Sequence, residues 1–228
     1  MKKIEPPPEY PPEEGRYLRG DDYSPVAVVI ILIHPAEKIP PGIETLVRVG
    51  VESGAALSGT LQTENIGLEK LICNIVANPN IRYLVLAGPE SPGHFTGEAL
   101  IALFKNGIDQ KKRIIGTKSP APYLFNIPAE DVERFREQVT LVNLLNEGDP
   151  DAIRQAVWSC YQEKPTQFRS YSLYDPGAYP AKPILRKITW RVTRPHIEPK
   201  DETERKQVER LKEMMANIKK RVKTKKQQ

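Results

Sequence analysis

IRYLVLAGPESPGHFTG, residues 81–97, is an apolar run that stops at a glycine and gives way to a loop holding a histidine. Tyr83 to Ala87 are apolar at every position, so a strand here is buried on both faces, as in a parallel sheet covered by helices. Gly88 and Pro89 end the run, Pro92-Gly93 turns the backbone, and Thr96-Gly97 lead into a helical pattern from Glu98 to Phe104. His94 is thereby placed just past the carboxyl end of a central strand. In open α/β sheets ligands bind at that edge, where loops diverge and the following helix offers unpaired N–H groups.

Working outward, Val26 to Ile33 is β-branched enough to be another buried strand, ending at His34-Pro35. Gly42–Gly54 has a helical spacing of apolar residues. Gly54 to Gly67 is small and polar, and its loop lets a bulky ligand approach backbone N–H groups. Leu68, Leu71, Ile72, Ile75 and Val76 then recur at helical spacing, with Thr63 as candidate N-cap, and Asn78-Pro79-Asn80 stops the helix. Downstream, the pattern predicts a helix over Glu98–Asn106, a short strand over Arg113–Gly116 and a loop from Pro120 to Asn126. A helix follows from Pro128 with Val132, Phe135 and Val139 on one face, then a strand within Gln138–Leu145, and a helix Asp151–Tyr161 opened by Asp149-Pro150.

Short apolar strands alternating with helices predict an α/β fold, a Rossmann-like and mostly parallel sheet with flanking helices. Residues 1–15, with five prolines, are expected to be an extended, weakly ordered arm. Residues 16–164 form the Rossmann-like domain. Residues 165–228 read as a linker, one more strand within Lys182–Thr193, and a basic charged helix from about Asp201, with Val208, Leu211, Met214, Met215 and Ile218 along one side.

Composition narrows the function classes. The chain has 228 residues, of which 39% are hydrophobic and 28% charged, an ordinary globular balance. Its longest apolar run, Val26–Ile33, is far short of the roughly 20 residues that span a bilayer. The lysines at the start have no apolar core behind them, unlike a secretory signal. Cys73 and Cys160 form neither a C-x-x-C pair nor a disulfide framework, which fits a reducing cytoplasm. The net charge of +5 resides in residues 201–228, and the preceding 200 residues carry 24 charges of each sign. A basic tail thus sets the high isoelectric point, and no nucleic-acid groove is expected on the domain.

The phosphate fingerprints G-x-G-x-x-G and G-x-x-x-x-G-K-[ST] are absent, as is the nucleophile elbow G-x-S-x-G. The three histidines, His34, His94 and His196, stand apart from one another in sequence, so none belongs to a sequence-visible metal cage. Of these, His94 alone sits in a ligand-binding position. A single imidazole still suffices as a metal ligand where a macrocycle supplies the equatorial donors, and Gly93, Thr96 and Gly97 are small enough for a wide flat ring to approach. The alternative is a surface-loop histidine with no special role.

Several blocks carry a family resemblance: Thr63-Glu64-Asn65-Ile66-Gly67-Leu68-Glu69-Lys70, Asn78-Pro79-Asn80-Ile81-Arg82, Gly93-His94-Phe95-Thr96-Gly97, Lys105-Asn106-Gly107 and Arg113-Ile114-Ile115-Gly116. In order and spacing they resemble the A subunit of tetrahydromethanopterin S-methyltransferase, over roughly Gly15 to Tyr161. The resemblance implies a cobamide (vitamin B12-type corrinoid) with cobalt, held by Thr63, Glu64, Asn65, Gly67, Gly88, Gly93, His94, Thr96, Gly97 and Gly116, with His94 as axial cobalt ligand. It also implies a methyl carrier of one-carbon metabolism, moving a methyl group from a methyl-tetrahydropterin to cob(I)amide and on to a thiol. Methyl-donor and methyl-acceptor transferase proteins would be its partners. Other corrinoid carriers use D-x-H-x-x-G, in which the Asp orients the imidazole. Position 92 here is proline, so the orienting acceptor is expected from elsewhere, such as a backbone carbonyl or Glu64. The family's membrane-bound form ends in a transmembrane anchor, whereas this chain ends in Arg221 to Gln228, so a soluble, cytoplasmic relative is expected. A corrinoid storage or delivery protein, and a nucleotide-using enzyme with His94 as acid or base, are the other readings open at this point.

Overall fold

A computed structural model describes residues 2–33 and 38–188, together with positions 202, 205, 206 and 209 of a separate carboxyl-terminal unit. In chain order the elements are β1 (Tyr17–Arg19), β2 (Val26–Ile31), α1 (Pro41–Glu52), β3 (Leu57–Leu61), α2 (Ile66–Val76), β4 (Tyr83–Gly88), α3 (Thr96–Asn106), α4 (Ala129–Gln138), β5 (Thr140–Leu145), α5 (Pro150–Cys160), β6 (Thr166–Phe168) and β7 (Tyr171–Leu173). β1 to β5 form one sheet in the order β1-β3-β2-β4-β5, parallel except for the antiparallel edge strand β1. The chain is therefore an α/β fold of the mostly parallel kind.

The central strands show why their sequences are uniformly apolar. Ala27, Val29 and Ile31 of β2 and Leu84 and Leu86 of β4 join one core with α2, α3 and α4. Val26, Val28 and Ile30, with Tyr83, Val85 and Ala87, join a second core with α1, α5 and the β6-β7 hairpin. With both faces buried, alternation has no polar side to display. The connection leaving β2 runs through α1 to β3 on one side, and that leaving β4 runs to β5 on the other. The strand order thus reverses between β2 and β4, the place where open α/β sheets bind ligands.

Some expected elements differ. The small polar stretch Gly54–Gly67 contains β3, whose Leu57 and Leu61 enter the core. Gly59 is needed there because β1 crosses it closely: a Cβ would lie 2.5 Å from Tyr17 Cβ and 2.8 Å from the Arg16 carbonyl oxygen. Arg113–Gly116 is no sheet strand. It makes single bridges, Ile108 to Ile114 and Arg113 to Tyr123. Part of the expected 165–183 linker is the β6-β7 hairpin, and residues 182–188 form no strand. His34-Pro35, Thr189–Thr193, His196 and most of the expected carboxyl-terminal helix, including its apolar stripe, lie outside the described residues.

The arm is extended but docked. Prolines deny it a hydrogen-bonded ladder, and amide side chains take over that task. Asn74 accepts from Glu13 N at 2.8 Å and donates to Glu13 O at 3.0 Å. Asn80 does the same for Ile4, at 3.0 and 2.6 Å. Tyr10 is 2% exposed. Among the described residues no helix is long and apolar enough to cross a membrane.

One buried amide ties α4 to the end of α2. Gln138 Nε2 lies within 3.2 Å of the carbonyl oxygens of Ile75, Asn78 and Ile81. Gln138→Leu strands these acceptors, each costing about 1–3 kcal/mol if no water replaces the amide. The urea midpoint should fall accordingly, and an unchanged midpoint would show the amide to be dispensable.

Candidate functional site

β3 and β4 flank β2, so the loops leaving their carboxyl ends stand on either side of it. The β4 loop is shaped by left-handed residues. Gly88 (φ +87°) ends the strand so close to β2 that a Cβ would lie 2.9 Å from Ile30 Cγ2. Gly93 (φ +82°) and Phe95 (φ 51°) then bracket His94, and Phe95 N donates to Ser91 O at 2.8 Å. The imidazole is thus presented from a tight, closed turn, with its side chain 34% exposed.

From the β3 loop comes Glu64, 1% exposed. Its Oε2 lies 3.0 Å from His94 Nδ1, and Oε1 accepts from Ala121 N at 3.3 Å. Burial pushes the Glu64 carboxyl up, but hydrogen bonds from its own backbone N–H and from His94 outweigh this and hold it below its usual value. The carboxyl is therefore an anion at neutral pH and can only accept. Nδ1 of a neutral His94 must carry the proton, and the ring lone pair sits on Nε2.

The neighbouring residues hold the loop rather than extend the pair. Asn65 is the N-cap of α2, accepting from Ile66 N at 2.7 Å, while Thr63 Oγ1 accepts from Gly67 N at 3.0 Å. Asn65 Nδ2 reaches Ala121 O at 3.4 Å, and Thr96 Oγ1 reaches Gln62 O at 3.5 Å. Gly93 is exposed, and a Cβ there would meet nothing within 4 Å. Gly116 (φ +77°) serves a turn packed on Asn106. A cavity of about 310 Å³ lies beside this site rather than at His94, reached through Gln62, Thr63 and Gly67.

The expectation that α3 offers unpaired N–H groups needs correction. Glu90 Oε1 accepts from Gly97 N at 2.9 Å and Oε2 from Glu98 N at 2.7 Å, so a carboxylate already caps the helix. Gly97 is buried, and a Cβ on it would meet Leu145 Cδ1 at 2.4 Å and Glu90 Oε2 at 3.1 Å. Its smallness is used by helix-on-strand packing. Among the described residues no group of three or more His, Cys, Asp or Glu side chains could hold a metal ion.

The family comparison agrees with this architecture. Residues 3–189 match the family of the A subunit of tetrahydromethanopterin S-methyltransferase. The chain belongs to that family. It is 40% identical over 189 residues to the A subunit (form 1) of tetrahydromethanopterin S-methyltransferase from Methanothermobacter marburgensis, covering 82% of this chain and 70% of that one. Over 183 residues it is 39% identical to the A subunit (form 2) from Methanothermobacter thermautotrophicus, covering 80% and 88%. The match takes in every element from β1 to β7, so the His94–Glu64 pair lies inside the part this chain shares with its family.

Two contributors to this methyltransferase-family site escape a reading by motif. Glu90 had a signal: Phe95 stands at the N-cap of α3 and cannot accept a hydrogen bond through its side chain, so the helix needs a cap from further away. The Ala121 contact has no residue-type signal, because every residue but proline has a backbone N–H.

Two outcomes follow from the geometry. Gly97→Val should lower stability by about 1–3 kcal/mol by overpacking against Leu145, where the sequence alone suggested a tolerated change. A thermal melt matching wild type would refute it. Because the folded Glu64 carboxyl is depressed below its ordinary 4.5, its stabilising contribution is fully present above that pH and is lost as pH falls through the folded value. The stability gap between wild type and Glu64→Gln, from urea unfolding, should be flat from pH 7 to about 4.5 and narrow below it. A gap that widens toward acid contradicts this assignment.

Proposed function

We propose that the chain is a corrinoid-binding methyl carrier, working with other subunits of a methyltransferase that pass a methyl group from a methyl-tetrahydropterin to a thiol. The observation that carries this reading is the His94–Glu64 pair, 3.0 Å apart at the carboxyl edge of the sheet. An imidazole whose Nδ1 is held by a buried carboxylate is the arrangement that orients and strengthens a metal-ligating histidine. When bound, the cobamide supplies a cobalt centre that in its reduced form is nucleophilic toward a methyl group. His94 provides Nε2 for the lower axial position. Glu64 holds the proton at Nδ1 and keeps the ring from swinging, and Ala121 N helps keep Glu64 an anion. Exposed Pro92 and Gly93 leave the rim beside the imidazole low enough for a broad macrocycle to settle.

The residues present fit that group better than a nucleotide. A phosphate would seek the N-terminal amides of α3, and there it would meet the Glu90 carboxylate. The names of these relatives, each the A subunit of a tetrahydromethanopterin S-methyltransferase, support both the pterin donor and the reliance on partner proteins.

His94→Ala should change the visible absorption of protein-bound cobalamin and weaken its binding by about 10–100-fold, the usual range for losing a metal-site contact. Glu64→Gln should retain ligation with a smaller loss. An identical spectrum for wild type and His94→Ala would sink the assignment.

A further inference from the structure

A cobamide carries its own heteroaromatic base on a ribose-phosphate tether. Once His94 takes the lower axial position, that base has to be housed elsewhere. We propose that the 310 Å³ cavity under α2 receives the displaced base, a reading that rests on cobamide binding at His94. The cavity opens at Thr63, the residue before Glu64, so it begins where the axial ligand's support begins. Its walls suit a flat ring: Val29, Leu57 and Leu84 of the sheet face Ile75 of α2 across it. Its volume is at the lower end of small-molecule sites, about 300–1,000 Å³, enough for a base but too small for the macrocycle.

A charged group is placed for the tether. Lys70 lines the cavity, and its ammonium is held by Glu14 O at 3.1 Å and lies 3.7 Å from the Glu13 carboxylate. Its side chain is 36% exposed, so a phosphodiester arriving from solvent can reach it. Gly67 stands at the same edge, and a Cβ there would press on Thr63 Oγ1 at 2.9 Å and Leu61 Cδ1 at 3.1 Å.

The test compares cobalamin with cobinamide, which has the macrocycle but lacks base and phosphodiester. Affinities are read from the visible spectrum, without any turnover. Leu71 lines the cavity and is only partly buried, so Leu71→Trp fills it from a position where α2 tolerates bulk. This variant should weaken cobalamin binding at least 10-fold and leave cobinamide binding within about twofold of wild type. Lys70→Glu, outside the core, should weaken cobalamin selectively as well and covers the case in which Leu71→Trp does not fold. If folded Leu71→Trp and Lys70→Glu proteins bind both corrinoids as wild type does, or lose both equally, the cavity assignment falls while the His94 assignment stands. If wild type binds neither corrinoid, both assignments fall together.

Discussion

Taking an ionised carboxylate out of water costs several kcal/mol unless donors replace the lost hydration. Glu64 meets that cost by drawing three segments together: the loop after β3 that carries it, the loop after β4 that brings His94, and the 117–121 segment that brings Ala121 N. The loops are otherwise unlike one another, and their convergence follows from this one buried charge. The same logic appears at α3, where the Glu90 carboxylate collects backbone amides from Ser91, Gly97 and Glu98. Two acids of similar chemistry are thus given different work, one orienting a side chain and the other closing a helix.

The opposite end of the sheet is held by neutral amides. Asn74, Asn78, Asn80 and Gln138 are buried, and each satisfies backbone groups of a segment that has no ladder of its own. Neutral amides carry a smaller desolvation cost than ions, which suits a region whose task is to fasten the arm and the end of α2. Charge is confined to the edge where chemistry is proposed.

Much of this was legible in the sequence. The runs Val26–Ile31 and Tyr83–Ala87 announce strands buried on both faces, and Asp149-Pro150 marks the start of α5 by its capping chemistry. β3 was hidden because Ser58-Gly59-Thr60 looks like a loop. Its glycine is demanded by Tyr17, a neighbour 42 positions away that periodicity cannot see. The arm was legible as extended, but its docking depends on side-chain amides of Asn74 and Asn80, more than 60 positions distant. At the site, the need for an acceptor to replace the missing Asp at position 92 could be read, with Glu64 among the candidates. The Ala121 amide, 57 positions from Glu64, could not.

The ends of β4 and β5 are laced together. Gly88 N donates to Glu147 O and Asn146 N to Gly88 O, each at 2.8 Å, and Glu90 N donates to Asn146 Oδ1 at 2.9 Å. Glu90 in turn grips the first turn of α3, directly after His94 and Phe95. The turn bearing the imidazole is therefore mechanically continuous with the sheet: its stiffness is borrowed from two strands. A push on the end of β5 travels through Asn146 and Glu90 to the base of the histidine, as through a linkage of short rigid rods.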